Sequence, residues 1–267
     1  MYEEERLQKI YQYVQQNNRA SVHHLCSLFH VSESTIRRDL TELEKRQLLK
    51  RTHGGAICMD SVGMEQTYNE KIDRFQEEKR QIAAKAASLI QDGDSVLIDS
   101  GTTTLYLAGY LSAFQSLTVV TNSIYLMQQL SNQPGLTLIS LGGTLRSNTM
   151  ALVGPMTEQN LLQIRVDKAF MATNGIDGEM GLTTPNLLEA ATKRKMMQVA
   201  EQVYVLADHS KIGRVSFAKF GSLAEVDGCV TSSLVPQERC RELRDRQVHL
   251  YFAEAPRQTE PQTEGGC

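Results

Sequence analysis

Five short β-prone runs at 95–98, 117–120, 136–140, 168–172 and 203–206 punctuate the second half of the chain, most of them separated by a segment of helical period. Parallel strands can be joined only by a crossover, usually a helix, so this alternation restricts the region to a mostly parallel α/β sheet. Just upstream, Ile82, Ala86, Leu89 and Ile90 recur at i, i+4, i+7 and i+8, and the helix they define stops at Asp92-Gly93-Asp94. With 267 residues the chain has room for such a domain and a second, smaller one.

The smaller one lies at the start. Leu7, Ile10, Tyr11 and Val14 give a first amphipathic helix that ends near Asn17-Asn18, and a second begins at Ser21 with apolar Val22, Leu25 and Leu28. After the connection Phe29-His30-Val31, Ser32 is an N-cap for a third helix. There Ile36, Leu40 and Leu43 form one buried stripe, while Thr35, Arg37 and Arg38 point outward. That order is a helix-turn-helix with an arginine-bearing reading helix. The run from Leu48 to Ile57 turns at Gly54-Gly55, which predicts a small hairpin, a wing whose Lys50, Arg51 and His53 can follow a phosphate backbone. The candidate DNA-contacting residues are Ser21, Ser32, Ser34, Thr35, Arg37, Arg38, Lys50, Arg51, His53 and Gly54.

A net charge of -3 argues against a DNA binder until it is divided along the chain. Residues 1–58 hold nine Lys/Arg against seven Asp/Glu and the remainder 19 against 24, so the basic excess falls on the helix-turn-helix. Cys26, Cys58, Cys229, Cys240 and Cys267 are scattered without a Cys-x-x-Cys pair, which signals a reducing cytoplasm rather than a disulfide framework or zinc knuckle. His23, His24 and Cys26 point different ways on a helix and are read as packing residues; no metal and no cofactor is expected. The N-terminus is not signal-like and no apolar run approaches the ~20 residues a membrane span requires, so a soluble cytoplasmic protein is expected. The expected division is a winged helix-turn-helix over 1–58, a linker over 59–74, an α/β effector-binding domain over 75–253, and a disordered tail over 254–267 rich in Gln, Glu, Thr, Pro and Gly.

In open α/β sheets ligands sit at the carboxyl ends of strands, and here each such end is small and polar. Asp99-Ser100-Gly101-Thr102-Thr103-Thr104 leads from the first strand into a helix, offering backbone N–H groups, hydroxyls and a positive helix end to an anion. Thr121-Asn122-Ser123, Gly142-Gly143-Thr144, Thr173-Asn174-Gly175 and Asp208-His209-Ser210-Lys211 follow the other four. Five such loops at one sheet edge predict a pocket for a small polyhydroxylated anion. Its candidate contacts are Asp99, Ser100, Gly101, Thr102, Thr103, Thr104, Thr121, Asn122, Gly142, Gly143, Asn174, Glu189 and Lys211. Glu189 and Lys193, at i and i+4 on one helix, fit a surface ion pair, with Glu189 alternatively at the pocket mouth.

The chain resembles bacterial DeoR-type transcriptional regulators from the helix-turn-helix to about Thr231. The resemblance is carried by Val31-Ser32-Glu33-Ser34-Thr35-Ile36-Arg37-Arg38-Asp39-Leu40, Arg51-Thr52-His53-Gly54-Gly55-Ala56, Glu78-Lys79 and Asp99-Ser100-Gly101-Thr102-Thr103. It continues through Val120-Thr121-Asn122-Ser123, Gly142-Gly143, Asp167-Lys168-Ala169-Phe170 and Ala207-Asp208-His209-Ser210-Lys211. It implies a winged helix-turn-helix joined to a sensor domain similar to ribose-5-phosphate isomerase and glucosamine-6-phosphate deaminase. The implied partners are double-stranded operator DNA, a phosphorylated sugar or related metabolite, and further copies of the chain in a homodimer or homotetramer. The implied function is repression of a carbohydrate-utilisation operon. Gln47 departs from the glycine common before the wing, and Thr231-Ser232 stands where Thr-Asp is frequent. The alternative is a sugar-phosphate isomerase or deaminase with Asp99, Asp208 or Lys211 in acid–base roles, carrying an appended DNA-binding domain.

Overall fold

The structure, a computed structural model, describes residues 2–17, 19–46, 48–58 and 65–253. Gln47, the segment 59–64 and the tail 254–267 therefore lie outside the described residues. Contacts divide the chain between Met64 and Glu65 into two units.

The first unit runs α1 (Glu3–Asn17), β1 (Arg19–Ser21), α2 (Val22–Phe29), α3 (Glu33–Lys45), β2 (Leu49–Thr52) and β3 (Gly55–Cys58). Ser21 caps α2 by accepting the His24 N–H at 3.1 Å, and Ser32 caps α3 by accepting that of Thr35 at 3.3 Å. Between them His30 turns the chain in the left-handed region at φ 55°. The expected stripe residues Leu7, Ile10, Val14, Leu25, Ile36, Leu40 and Leu43 meet in one core. The wing is present, β2 and β3 pairing antiparallel with Thr52 opposite Gly55. Beyond expectation, β1 adds a third strand to the far side of β3. That strand explains Gly55, where a Cβ would sit 2.0 Å from the Ala20 carbonyl oxygen.

The second unit opens with α4 (Tyr68–Ile72) and α5 (Gln76–Ala87). Then come β4 (Ser95–Ile98), α6 (Thr102–Leu105), β5 (Leu117–Thr121), α7 (Ile124–Leu130), β6 (Leu136–Ser140), β7 (Thr144–Arg146) and β8 (Ala151–Val153). They are followed by α8 (Pro155–Leu161), β9 (Val166–Ala172), β10 (Gly175–Asp177), β11 (Gly181–Thr184), α9 (Leu187–Gln198) and β12 (Ala200–Leu206). The unit ends with β13 (Ala218–Gly221), β14 (Gly228–Ser232), α10 (Gln237–Asp245) and β15 (Leu250–Ala253).

Seven of these strands form one all-parallel sheet in the order β15-β14-β12-β9-β4-β5-β6. Its first five strands in chain order are the five runs read from sequence; β14 and β15 extend it. Alternate residues feed opposite faces: Val96, Ile98 and Phe170 pack with Ile82 and Ala86 of α5, whereas Leu97, Ala169 and Met171 pack with Met196 and Met197 of α9. Two short antiparallel sheets, β7-β8 and β10-β11-β13, add to the unit. From the central β4 the chain moves one way through β5 and β6, then returns to β9 on the other side. The crevice between the carboxyl ends of β4 and β9 is thus the topological switch point.

Residues 65–74, expected to end a linker, belong to this unit. Thr67 and Glu70 form a capping box on α4, and the Tyr68 N–H donates to the Asn148 carbonyl at 2.7 Å. The segment is polar because it lines a cavity, and polarity alone made it look like a spacer.

Candidate functional site

On α3, Arg37 and Arg38 are both exposed, with the Ser32, Ser34 and Thr35 hydroxyls clustered at the start of the helix within 2.8 Å of Ser32 Oγ. The arginines differ. Arg37 Nε and Nη2 donate to Glu33 one turn back, whereas Arg38 makes no side-chain hydrogen bond or ion pair among the described residues. Ser21, His53 and Gly54 are exposed and Lys50 is half-buried. Arg51 is tied within the unit as well as partly exposed. Its N–H donates to Glu44 and its Nη1 to the Thr41 hydroxyl at 2.8 Å, so it braces the wing against α3. Behind the reading face, Asp39 pairs with Arg6 of α1, both side chains buried, a contact that no periodicity in the sequence announces.

At the switch point of the second unit Ser100, Gly101, Thr102 and Thr103 line a cavity together with Asn174, Glu189 and Lys211. Five cations converge there, namely Lys71, Arg74, Lys79, Lys193 and Lys211, against the carboxylates of Glu189 and Asp208. Only Lys211 was read from sequence as a charge for an anion. Lys71 and Arg74 were hidden in the supposed linker, and Lys193 was read as half of a surface pair with Glu189.

Neither member of that pair is on the surface. Lys193 is buried and donates to Asp99 and, at 3.0 Å, to the Ala172 carbonyl. Asp99 also accepts the Ser100 and Ala172 N–H groups at 2.8 and 3.0 Å, so this carboxylate joins the ends of β4 and β9. Glu189 is buried among Thr149, Thr184 and Arg146. Burial pushes its carboxyl up, but Lys193, the Thr149 hydroxyl and Arg146 hold it below the usual range, so it stays charged.

Five of the expected contact residues hold the scaffold. Thr104 Oγ1 closes the loop by donating to the Asp99 carbonyl and accepting the Gly101 N–H. The Thr121 hydroxyl donates to the Ile98 carbonyl, and Asn122 Nδ2 to that of Leu152. Gly142 and Gly143 adopt positive φ beside Thr157, which donates to the Gly142 carbonyl. The helix after Gly101 is also shorter than expected, one turn of α6 tightening to a 3₁₀ helix over Tyr106–Ala113. The positive charge at the cavity therefore lies on side-chain cations and not on the end of a long helix.

Glu78 explains the Glu78-Lys79 motif and Ser232. Its carboxylate accepts the His209 N–H at 2.7 Å and the Ser232 hydroxyl at 2.6 Å, and lies 2.8 Å from His209 Nδ1. An aspartate at 232 would set a second carboxylate against it. Asp208 lies close enough to complete a potential metal triad with Glu78 and His209, but Glu78 is already engaged by protein donors.

Burial lowers both Lys71 and Lys79 to about 8. Lysines depressed in this way oppose folding while charged, and the penalty falls as pH rises from about 8 toward 10.5. A bound anion favours the charged form. The affinity of inorganic phosphate for the second unit is therefore expected to fall as pH rises from 7.5 to 9.5, roughly tenfold or more. Calorimetric titration at constant ionic strength checks it, and a flat profile would remove both lysines from the anion site.

Two family descriptions match the chain. Residues 6–62 match the DeoR-like helix-turn-helix domain and residues 74–233 the DeoR C terminal sensor domain. The HTH-type transcriptional repressor GlcR of Bacillus subtilis is 40% identical over 254 residues, covering 95% of this chain and 98% of its own. The HTH-type transcriptional regulator GlpR of Haloferax volcanii is 40% identical, covering 91% and 95%. A putative aga operon transcriptional repressor of Escherichia coli O157:H7 is 33% identical, covering 92% of each. Among solved structures, ribose 5-phosphate isomerase A of Methanocaldococcus jannaschii aligns with 51% of this chain and 54% of its own at 16% identity and a TM-score of 0.37, and no function is carried over from it. Matched along both units, the chain belongs to the DeoR family and is a DNA-binding helix-turn-helix transcriptional regulator.

Proposed function

We propose that the protein represses carbohydrate-utilisation genes in the cytoplasm and is released from its operator by a phosphorylated sugar or sugar acid bound in the cavity of residues 65–253. The observation that carries this reading is the convergence of Lys71, Arg74, Lys79, Lys193 and Lys211 on one crevice. Point charges on lysine and the planar fork of arginine suit a phosphate or carboxylate. Glu189, Asn174 and the Ser100–Thr103 hydroxyls suit sugar hydroxyls. The winged helix-turn-helix of residues 2–58 supplies the output, and a homodimer or homotetramer presents paired reading helices to double-stranded DNA. A thermal-shift screen of sugar phosphates and sugar acids tests the effector class, each hit being retested for release of DNA from upstream of the neighbouring genes.

The two arginines should not weigh equally. Arg38 is the unencumbered side chain and is assigned base reading, whereas Arg37 is already engaged by Glu33 and is assigned a phosphate. Arg38→Ala is expected to weaken operator binding by about 1–3 kcal/mol and to relax sequence preference. Arg37→Ala should cost less and act alike on all sequences, lowering the salt dependence by about one phosphate contact. Equal, sequence-independent losses in both variants would overturn the assignment of Arg38.

A further inference from the structure

Glu65 is the first residue beyond the boundary between the units, so whatever holds it holds the end of the chain leading to the DNA-binding unit. It is held by Arg146 of β7, whose Nη2 donates to Glu65 Oε2 at 2.6 Å. The other arm of the same guanidinium, Nη1, lies 2.7 Å from Oε1 of Glu189, which lines the cavity. The β7-β8 turn doubles the connection. Asn148 Nδ2 donates to Glu65 at 3.2 Å and the Asn148 carbonyl accepts the Tyr68 N–H, while the Thr149 hydroxyl donates to Glu189. One cation thus serves two carboxylates, one in the cavity and one at the junction.

This chain of contacts is under-satisfied at both ends. Arg146 Nη1 meets Glu189 as an ion pair outside hydrogen-bond geometry, and among the described residues Oε1 of Glu65 is buried with no hydrogen-bond partner. Buried polar atoms without partners are uncommon, and a buried network left partly satisfied gains by re-pairing. A ligand whose hydroxyls take over Glu189 frees the Arg146 Nη1 arm, and the unpaired Glu65 oxygen is there to receive it.

We propose that Arg146 is the positioning residue that couples occupancy of the cavity to the junction, by dividing its guanidinium differently between Glu189 and Glu65 in the empty and liganded protein. The proposal rests on reading the cavity as the effector site. Neither Arg146 nor Glu65 lines the cavity, so their loss should spare binding while severing its consequence.

The test uses the full chain with glucose 6-phosphate, fructose 6-phosphate and 6-phosphogluconate as probes. For each, affinity is measured by calorimetry and operator affinity is measured with and without saturating probe. In the wild type at least one probe should bind and lower operator affinity by about 5–150-fold. In Arg146→Met and in the milder Glu65→Gln the same probe should bind within about threefold of wild type yet change operator affinity less than about twofold. Glu65→Gln keeps the shape of the junction should Arg146→Met fail to fold. Wild-type-sized coupling in either folded variant overturns the role of Arg146 and leaves the cavity reading intact. Binding of no probe by the wild type overturns both.

Discussion

Asp39→Ala is expected to cost the DNA-binding unit about 3–5 kcal/mol of stability, a large share of the ~5–15 kcal/mol typical of a domain. Asp39 is fully buried and receives two bonds from the Arg6 guanidinium, Nε to Oδ2 at 2.5 Å and Nη2 to Oδ1 at 3.0 Å, so α1 and α3 are locked by a planar fork. Removing the carboxylate leaves a buried guanidinium beside the core of the unit without its hydrogen-bonding partner, with Glu3 acting on it only through a weaker charge interaction. Replacing both partners by apolar side chains, as in Arg6→Met with Asp39→Leu, should return most of the loss, because the penalty lies in the unpaired charge. Urea unfolding of the full chain, followed by probes in each unit, measures this. A change below about 0.5 kcal/mol in Asp39→Ala, the range of an ordinary surface substitution, would mean that the pair does not hold α3 in place.

The second large effect is predicted at the switch point. Lys193→Met leaves the Asp99 carboxylate with only the Ser100 and Ala172 N–H groups and should destabilise the second unit by about 3–5 kcal/mol. Adding Asp99→Asn should recover part of that, since no charge is left to neutralise, although the single amide oxygen can accept only one of the two backbone N–H groups. Because Lys193 also faces the cavity, the double variant should remain folded and bind sugar phosphates more weakly. Equal stability of Lys193→Met and wild type would show that Asp99 is satisfied without the lysine.

The parts of this fold that repeat were legible in the sequence. β-prone runs marked five strands of the parallel sheet and period 3.6 marked helices α1 to α3, because packing against a core imposes such patterns on composition, while Gly54-Gly55 marked the wing. Capping marked Ser32, which caps as expected, and Ser21, read as the start of the second helix, caps it too. What was not legible depends on neighbours distant in sequence. Lys193 and Glu189 read as a surface pair because helical spacing is local information, whereas their partners Asp99 and Arg146 lie 94 and 43 positions away. The strand-end loops were located correctly, but their residues could not be sorted by spacing. Ser100 and Asn174 line the cavity, while Thr104 and Thr121 turn their hydroxyls back on the main chain. Lys71 and Arg74 were lost to the linker because a short polar helix that buries little has no period to show.

The central claim is that the cavity at the β4/β9 switch point governs operator binding. The direct measurement is operator affinity of the wild-type chain, at fixed salt, as a function of a sugar phosphate that has first been shown to bind with a stoichiometry of about one per chain. The account predicts a saturable loss of operator affinity that tracks occupancy, with operator DNA weakening the sugar phosphate by the same factor, as linkage requires. A sugar phosphate that fills the cavity and leaves operator affinity unchanged would contradict it.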